Sequence, residues 1–443
     1  MLELMLERLF CLRASGTSVR AEVVGGLTTF LTMAYIVFVN PAVLAQAGMD
    51  FGAVMTATCL AAGLATWVMG LAANYPIAMA PAMGENFFFV SVVLAMGQSW
   101  QAALAAVWLS GIVFFALTLL GIRELIIDAI PASLKHAIAV GIGLFIALLG
   151  LTGAGIVERP PGTGILHLGD LTRAPTLVAC AGLVATVALL ARGTRGAILW
   201  GILLATGLAW ATGLVHWQGL VARPPSLAPT LLQLDLRALL RLETIPIVIV
   251  FLYMAVFDAI GTLVGIADRA GFFRDGKLPR ADRALLADSA GTVLGSLMGT
   301  ATVTAYVESA AGVAAGARTG LANVVTGAAF FLALFFAPLA RMVGGGVAVE
   351  GGTVLQPLTA PALIVVGGLM AQNITRLEWS DVTEFFPAFL VVIGIPFTWS
   401  IADGIAFGFI AYPALKLLTG RAREASPLVY VLGALFVLRY ALL

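Results

Sequence analysis

Residues 300–320, TATVTAYVESAAGVAAGARTG, decide how the rest of this chain is read. Small and β-branched residues from Thr300 to Tyr306 predict a short extended run. One carboxylate, Glu308, follows, and a small-residue helix is predicted from Ser309 to Gly316. Long apolar stretches flank the segment on both sides, which places it at membrane depth. Irregular backbone is tolerated there only where it is buried in protein or lines a cavity. A carboxylate at the start of a half-helix inside a bilayer marks a functional site, and broken helices of this kind are where secondary transporters hold their substrates.

Composition agrees with that placement. The chain is 61% apolar and 11% charged, with a mean hydropathy of +1.04, against about 25% charged in soluble domains. The apolar runs are about 20 residues long, the length of a membrane-spanning helix rather than a barrel strand. We therefore read an all-α integral membrane protein. A formal charge of +1 offers no basic face for nucleic acid. Cys11, Cys59 and Cys180 have neither ligand nor disulfide spacing. His136, His167 and His216 have no metal spacing, and no nucleotide-loop lysine or nucleophile–histidine pattern is present, so neither a cofactor nor an enzymatic reaction is expected. The N-terminus, MLELMLERLFCLRASGTSVRAE, is too short and charged for a cleaved signal peptide and reads as an amphipathic cytosolic lead-in.

Apolar segments fall at 22–46, 52–73, 75–97, 100–120, 133–152, 175–191 and 195–213. After a polar, proline-containing stretch they resume at 244–267, 282–299, 300–316, 319–340, 354–373, 382–397, 399–419 and 426–443. This gives about fourteen spans and one segment over. Either 382–397 or 426–443 is the extra one, and the latter is a crossing or an interfacial helix. With the N-terminus inside, inner ends collect Arg8, Arg13, Arg20, Arg123, Lys135, Arg274, Lys277, Arg376, Lys416 and Arg421. Outer loops hold Arg159, Arg173, Arg223, Arg237, Arg241 and Arg341. That bias orients the N-terminus to the cytoplasm. The expected layout is a first inverted repeat over 1–213, an extracytoplasmic connector over 214–242 and a second repeat over 243–443. A shift that lays Glu85-Asn86 on Glu308-Ser309 also lays Tyr35 on Asp258, as repeats would.

Few ionisable residues lie deep in this map, and each must face a cavity, pair or carry a proton. The segment containing YPIAMAPAMGENFFFV has the same build as 300–316: an extended start, Pro81 against a continuous helix, then Gly84 and a helix from about Glu85. Two such half-helices meeting near the midplane suit a planar polar ligand or an anion. Asn86 both donates and accepts and is the expected ligand group. Glu85, about 100° around the helix, cannot face the same point. Phe87, Phe88 and Phe89 either pack or offer one ring for stacking. Asp258 carries Thr262 one turn on, and reads as a proton carrier, a ligand acceptor or a structural cap. Asp403 reads as a cap or a pairing group, and the charged stretch 268–288 as a solvated connector.

At these residues the chain resembles the nucleobase–cation symporters, and among them the azaguanine-permease-like branch that carries guanine, hypoxanthine and adenine. The resemblance rests on GGLTTFLTMAYIVFVNPAVL (25–44), APAMGENFFF (80–89), FDAIGTLVGIADRAG (257–271), GTATVTAYVESAAGVAAGARTGL (299–321) and WSIADGIAFGF (399–409). It implies about fourteen spans in two inverted repeats of seven, with strand and half-helix breaks in segments three and ten. It also implies core domains over 22–120 and 244–340, and gate domains over 133–213 and 354–443. By the same likeness Asn86, Asp258 and Glu308 bind the base, with Glu85, Thr262 and Ser309 beside them. Asp258 and Glu308 couple to a proton (or sodium). The likeness further implies homodimers formed through the gate domain, in a bacterial inner membrane. Thr262 stands where uracil-type relatives have histidine. Ala82 replaces the branch's usual glycine, and Glu85 its usual apolar residue. The expected activity is proton-coupled purine import. A xanthine or uracil carrier, an anion transporter of the same architecture, and a membrane receptor or enzyme are the rivals.

Overall fold

The computed structural model describes residues 2–121, 131–158, 166–272, 278–349 and 354–442. Arg123, Arg159, Arg274 and Lys277 of the charge map lie outside them. The first half contains α1 (Leu2–Phe10), α2 (Val19–Met33), α3 (Ile36–Ala45), α4 (Phe51–Ala72), the strand β1 (Met79–Pro81), α5 (Met83–Leu94), α6 (Trp100–Leu119), α7 (Ala132–Gly153), α8 (Ala174–Ala191) and α9 (Ala197–Ala211). The second half contains α10 (Thr244–Ala270), α11 (Ala281–Met298), β2 (Val303–Ala305), α12 (Ser309–Ala314), α13 (Leu321–Ala333), α14 (Ala337–Gly344), α15 (Ala360–Ala371), α16 (Val382–Thr398), α17 (Ile401–Leu418) and α18 (Pro427–Leu442). Among the described residues, 8 helical stretches are long and apolar enough to cross a membrane, counting α2 with α3 as one and 321–344 as another. Four shorter apolar helices, at 83–94, 197–211, 382–398 and 427–438, accompany them.

Local chemistry explains where these helices start. The side chains of Ser18, Asp50 and Ser99 accept from the backbone N–H of Ala21, Ala53 and Ala102, capping α2, α4 and α6. The helices pack in two sets. α4 lies against α11 and α13, α11 against α6, and α13 against α2; α7 lies against α15 and α16, α16 against α17, and α8 against α9. The stretch between α9 and α10 closes over one end of the first set, where Leu232 N donates to Leu297 O and Asp235 N to Gln101 O.

The two interrupted segments meet in a way their sequences did not specify. β1 and β2 form an antiparallel pair, with Met79 opposite Ala305, Ala80 opposite Thr304 and Pro81 opposite Val303. The ladder extends through Ala82 N to Thr302 O at 2.8 Å and Tyr306 N to Ala78 O at 2.9 Å. Surrounding side chains occupy its outer edges. Thr66 Oγ1 takes the N–H of Met79, Thr292 Oγ1 donates to Val303 O, and Asn323 Nδ2 donates to Ile77 O. Asp288 of α11, fully buried, accepts from Thr304 Oγ1 at 3.0 Å and Ala305 N at 2.9 Å. Extended backbone thus survives in an apolar setting because its polar groups find protein partners. Proline in β1 fits an edge position in so short a ladder. Asp288 belongs to the stretch read as a solvated connector; here it lies under the strand pair instead.

α4 and α13 touch through glycines. A methyl on Gly320 would stand 1.9 Å from Gly70 O, and one on Gly327 would stand 2.8 Å from Gly63 O. Small residues at such a crossing let two backbones approach closely. Gly320→Ala must push α4 and α13 apart, since the obstruction is backbone. A loss of about 1–3 kcal/mol is expected, in line with overpacking elsewhere. It is read as a lowered thermal midpoint of the detergent-solubilised protein, and an unchanged midpoint would refute the close-contact account.

Candidate substrate cavity

The strand pair ends where a cavity begins. The cavity encloses about 640 Å³, within the range of small-molecule sites. Ala82 to Glu85 and Ala305 to Glu308 line it beside the strand pair, α10 supplies Tyr253, Phe257, Asp258 and Thr262, and α7 contributes Ile138 and Ile142. Lys135, His136, Asn373 and Arg376 also line it, at the start of α7 and just beyond α15.

Three carboxyl groups reach this space from three elements. Glu308 sits at the turn between β2 and α12, where its Oε1 accepts from Tyr35 Oη at 2.8 Å and its backbone oxygen from Thr32 Oγ1. Tyr35 itself occupies the break between α2 and α3, so a second interrupted helix orients the Glu308 side chain. Asp258 is open to the cavity, with Gly261 and Thr262 beside it on the same helical face. Glu85 is only 2% exposed, and its Oε1 has no hydrogen-bond partner among the described residues. Tyr253 Oη is likewise buried without one. Tyr306 is held by a 2.6 Å bond from its hydroxyl to Pro81 O, which locks the ring across the junction of the two broken segments. Among the described residues no group of three His, Cys, Asp or Glu side chains is close enough to hold a metal ion. The lining thus combines three carboxyl groups, the rings of Tyr35, Tyr253, Tyr306 and Phe257, and the basic groups of Lys135 and Arg376.

Of the residues singled out from sequence, Glu85, Asp258, Thr262 and Glu308 line the cavity, while Asn86 and Ser309 do not. Asn86 is fully buried on the far side of α5, with Nδ2 4.0 Å from Met83 Sδ. The expected order of Glu85 and Asn86 is thus reversed. α5 begins at Met83, and that start turns Glu85 inward and Asn86, about 100° on, into the packing. Ser309 Oγ instead accepts from Ala78 N, fastening β1 to α12. Phe87, Phe88 and Phe89 are all core residues; Phe88 packs against Phe251 with ring centroids 4.6 Å apart. Gly84 is helical and lines the cavity. Asp403 accepts from Tyr440 Oη, joining α17 to α18. Sequence reasoning missed Tyr35, Tyr253, Tyr306 and Asp288. Only Tyr35 carried a signal, through the repeat shift that lays it on Asp258.

Sequence comparison matches residues 20–407 to a family model described as a permease family. The adenine permease AdeP of Escherichia coli K12 is 44% identical over 437 residues, covering 98% of this chain and 96% of that one. The guanine/hypoxanthine permease PbuG of Bacillus subtilis is 46% identical over 441 residues, covering 97% and 98%. Among solved structures, the transmembrane domain of the cyanobacterial bicarbonate transporter BicA superposes with a TM-score of 0.62 at 16% identity, covering 88% of this chain and 96% of that one. SLC26A9 gives 0.65 at 12% identity, covering 95% and 69%. These last two likenesses establish the fold alone.

Proposed function

We propose, from the premise that this chain belongs to the permease family matched over residues 20–407, that it carries purine nucleobases across a membrane in the cavity beside the strand pair. The observation that carries this reading is a cavity walled by long apolar helices, where Glu85, Asp258 and Glu308 present acceptors in one lining with the rings of Tyr253, Phe257 and Tyr306. A purine is a flat aromatic ring edged with N–H groups, and fits that lining. Relatives named for adenine and for guanine and hypoxanthine match nearly the whole chain. Three carboxyl groups in one lining weigh against the rival anion cargo, which they would repel unless protonated, although Lys135 and Arg376 line the same cavity.

The finer reading is alternating access in two inverted repeats of about seven segments, with core bundles over 22–120 and 244–340 and gate bundles over 133–213 and 354–443. The cytoplasmic side is the one that carries Lys135 and Arg376, by the bias of basic residues. A cavity lined by both is then open inward. Asp258, reached by water through the cavity, takes and releases the coupling proton. Glu308, aimed by Tyr35, accepts from the base. Protonation and base binding together neutralise the site and lower the cost of moving the core past the gate. In this reading two copies associate through the gate bundles in a bacterial inner membrane.

Labelled guanine, hypoxanthine and adenine should enter a purine-uptake-deficient bacterium expressing this protein, and a protonophore should stop them. Glu308→Gln keeps an acceptor for Tyr35 but removes the charge. Uptake at equal membrane abundance should fall by at least about tenfold, the loss expected when a buried polar contact goes unmade. No uptake above background by the unaltered protein would sink the proposal.

A further inference from the structure

The three cavity carboxyl groups are not satisfied alike. Glu308 already accepts the Tyr35 hydroxyl proton, and Asp258 is open to water through the cavity. Glu85 is the exception: 2% exposed, lining the cavity, with Oε1 unpartnered among the described residues. In the same lining, Tyr253 is 8% exposed and its hydroxyl is unpartnered too among the described residues. Buried polar atoms are nearly always hydrogen-bonded, and an unpaired one at a cavity wall is a place kept for a ligand atom.

We infer that Glu85 reads a pair of adjacent N–H donors on the bound base and so makes guanine the preferred purine; the inference rests on the carrier reading above. A carboxylate offers two acceptor oxygens side by side, and charge-assisted bonds to two parallel N–H groups are the strongest use of that geometry. Guanine presents such a pair, its ring N1–H beside the exocyclic 2-amino group. Hypoxanthine keeps the ring N–H but has only C–H at position 2. Adenine places an acceptor, N1, beside its amine, so one carboxylate oxygen would face a lone pair. Discrimination is strong in this arrangement because a wrong base leaves a buried acceptor unpaired. The Tyr253 hydroxyl, able to donate or accept, meets the ligand from α10.

Glu85→Gln separates the outcomes. An amide keeps the size of the carboxylate but replaces one acceptor with a donor, which fits the adenine edge and opposes the guanine pair. Inhibition constants of unlabelled guanine, hypoxanthine and adenine would be measured against labelled hypoxanthine uptake. In the unaltered protein guanine should compete best. In Glu85→Gln the ratio of guanine to hypoxanthine affinity should fall at least about tenfold, and adenine should gain on both, whatever becomes of the maximal rate. A ratio unchanged within about twofold would overturn the role of Glu85 and leave the carrier reading standing. An unaltered protein indifferent to every purine would overturn both. Should Glu85→Gln fail to accumulate, Glu85→Ala, which removes both acceptors, is expected to show the same fall in ratio in ligand-induced thermal stabilisation of purified protein, and an unchanged ratio there is equally decisive against it.

Discussion

Glu22→Ala is expected to lower the stability of the protein more than any other single truncation outside the cavity. Glu22 lies in the first turn of α2 and is fully buried. Its carboxylate is nevertheless saturated from a distant part of the chain. Oε1 accepts from Arg318 N at 2.8 Å and Thr319 N at 3.2 Å, and Oε2 from Ala322 N at 3.1 Å and Thr319 N at 3.3 Å. Arg318 and Thr319 lie in the turn that enters α13, and Ala322 in its first turn, the end whose N–H groups a helix leaves unpaired. Glu22 is therefore a cap supplied by another helix, with charge-assisted bonds. Nearby, Asn74 Oδ1 accepts from Gly320 N at 2.7 Å, completing the turn. Alanine would leave Arg318 N and Thr319 N bare in a closed environment, and Ala322 N with only its bond to Thr319 O. At about 1–3 kcal/mol for each orphaned group, with partial relaxation, a loss of about 2–5 kcal/mol follows. That is a large part of the stability of a typical domain. Glu22→Gln, which keeps one acceptor oxygen, should lose about half as much. The thermal midpoint of detergent-solubilised protein, followed by size-exclusion chromatography after heating, is the measurement. Alanine within about 2 °C of the unaltered protein would remove Glu22 from this role.

The same cap marks the boundary between what was legible in the sequence and what was not. That 300–320 is broken at membrane depth follows from its composition alone, and so does the kinship with residues 75–89. The shift that lays Glu85 on Glu308 relates two side chains that line one cavity. Pairing between the strands was not legible. Each has only three residues, and a ladder that short is held by Thr66, Asp288, Thr292 and Asn323 from four other positions. None of these residue types announces a partner so far along the chain.

The inversion of Glu85 and Asn86 has a narrower cause. Which of two consecutive residues faces a cavity depends on the phase of the helix, hence on where its first turn begins. Placing that start at Glu85 rather than Met83 is a shift of two residues, about 200° of rotation. Composition cannot resolve it, because Ala82, Met83 and Gly84 are each compatible with the end of a strand or the beginning of a helix. Asp288 was misread for a related reason. The charged stretch before it supplied the context, although Ala284, Leu285, Ala287 and Ser289 are all buried and belong to the packed face of α11.

Lys416 carries the other large expected effect, and it lies in the second packing set. Its side chain is 1% exposed, held between Glu384 Oε1 and Glu424 Oε2, each at 2.8 Å. Glu384 also accepts from Ser133 Oγ and Tyr412 Oη. One ammonium thus ties α17 to α16 and, through Glu384, to the first turn of α7, where Lys135 and His136 line the cavity. At the outer rim, Thr383 and then Arg421 hold the Asp381 carboxyl down to about 2, and Arg421 and then Lys416 do the same for Glu424. Both carboxyls titrate lower in the folded protein than the usual value of about 4. Their stabilisation is therefore complete above that value and is lost as pH falls towards 2, so the network stays intact at neutral pH. Lys416→Met removes the shared cation and leaves Glu384 facing two hydroxyl donors without a counter-charge. Breaking a fully buried pair costs about 3–5 kcal/mol; because Glu384 and Glu424 retain some contact with solvent, about 2–3 kcal/mol is expected here. Lys416→Met combined with Glu384→Gln should recover a good part of that loss, since the amide oxygen accepts from one of the Ser133 and Tyr412 hydroxyls, its NH2 can donate to the oxygen of the other, and it no longer needs a cation. A double-mutant cycle on thermal midpoints measures the coupling. Additive losses would show that Lys416 stabilises the bundle through its packing alone, and that the charge joining α7, α16 and α17 is incidental.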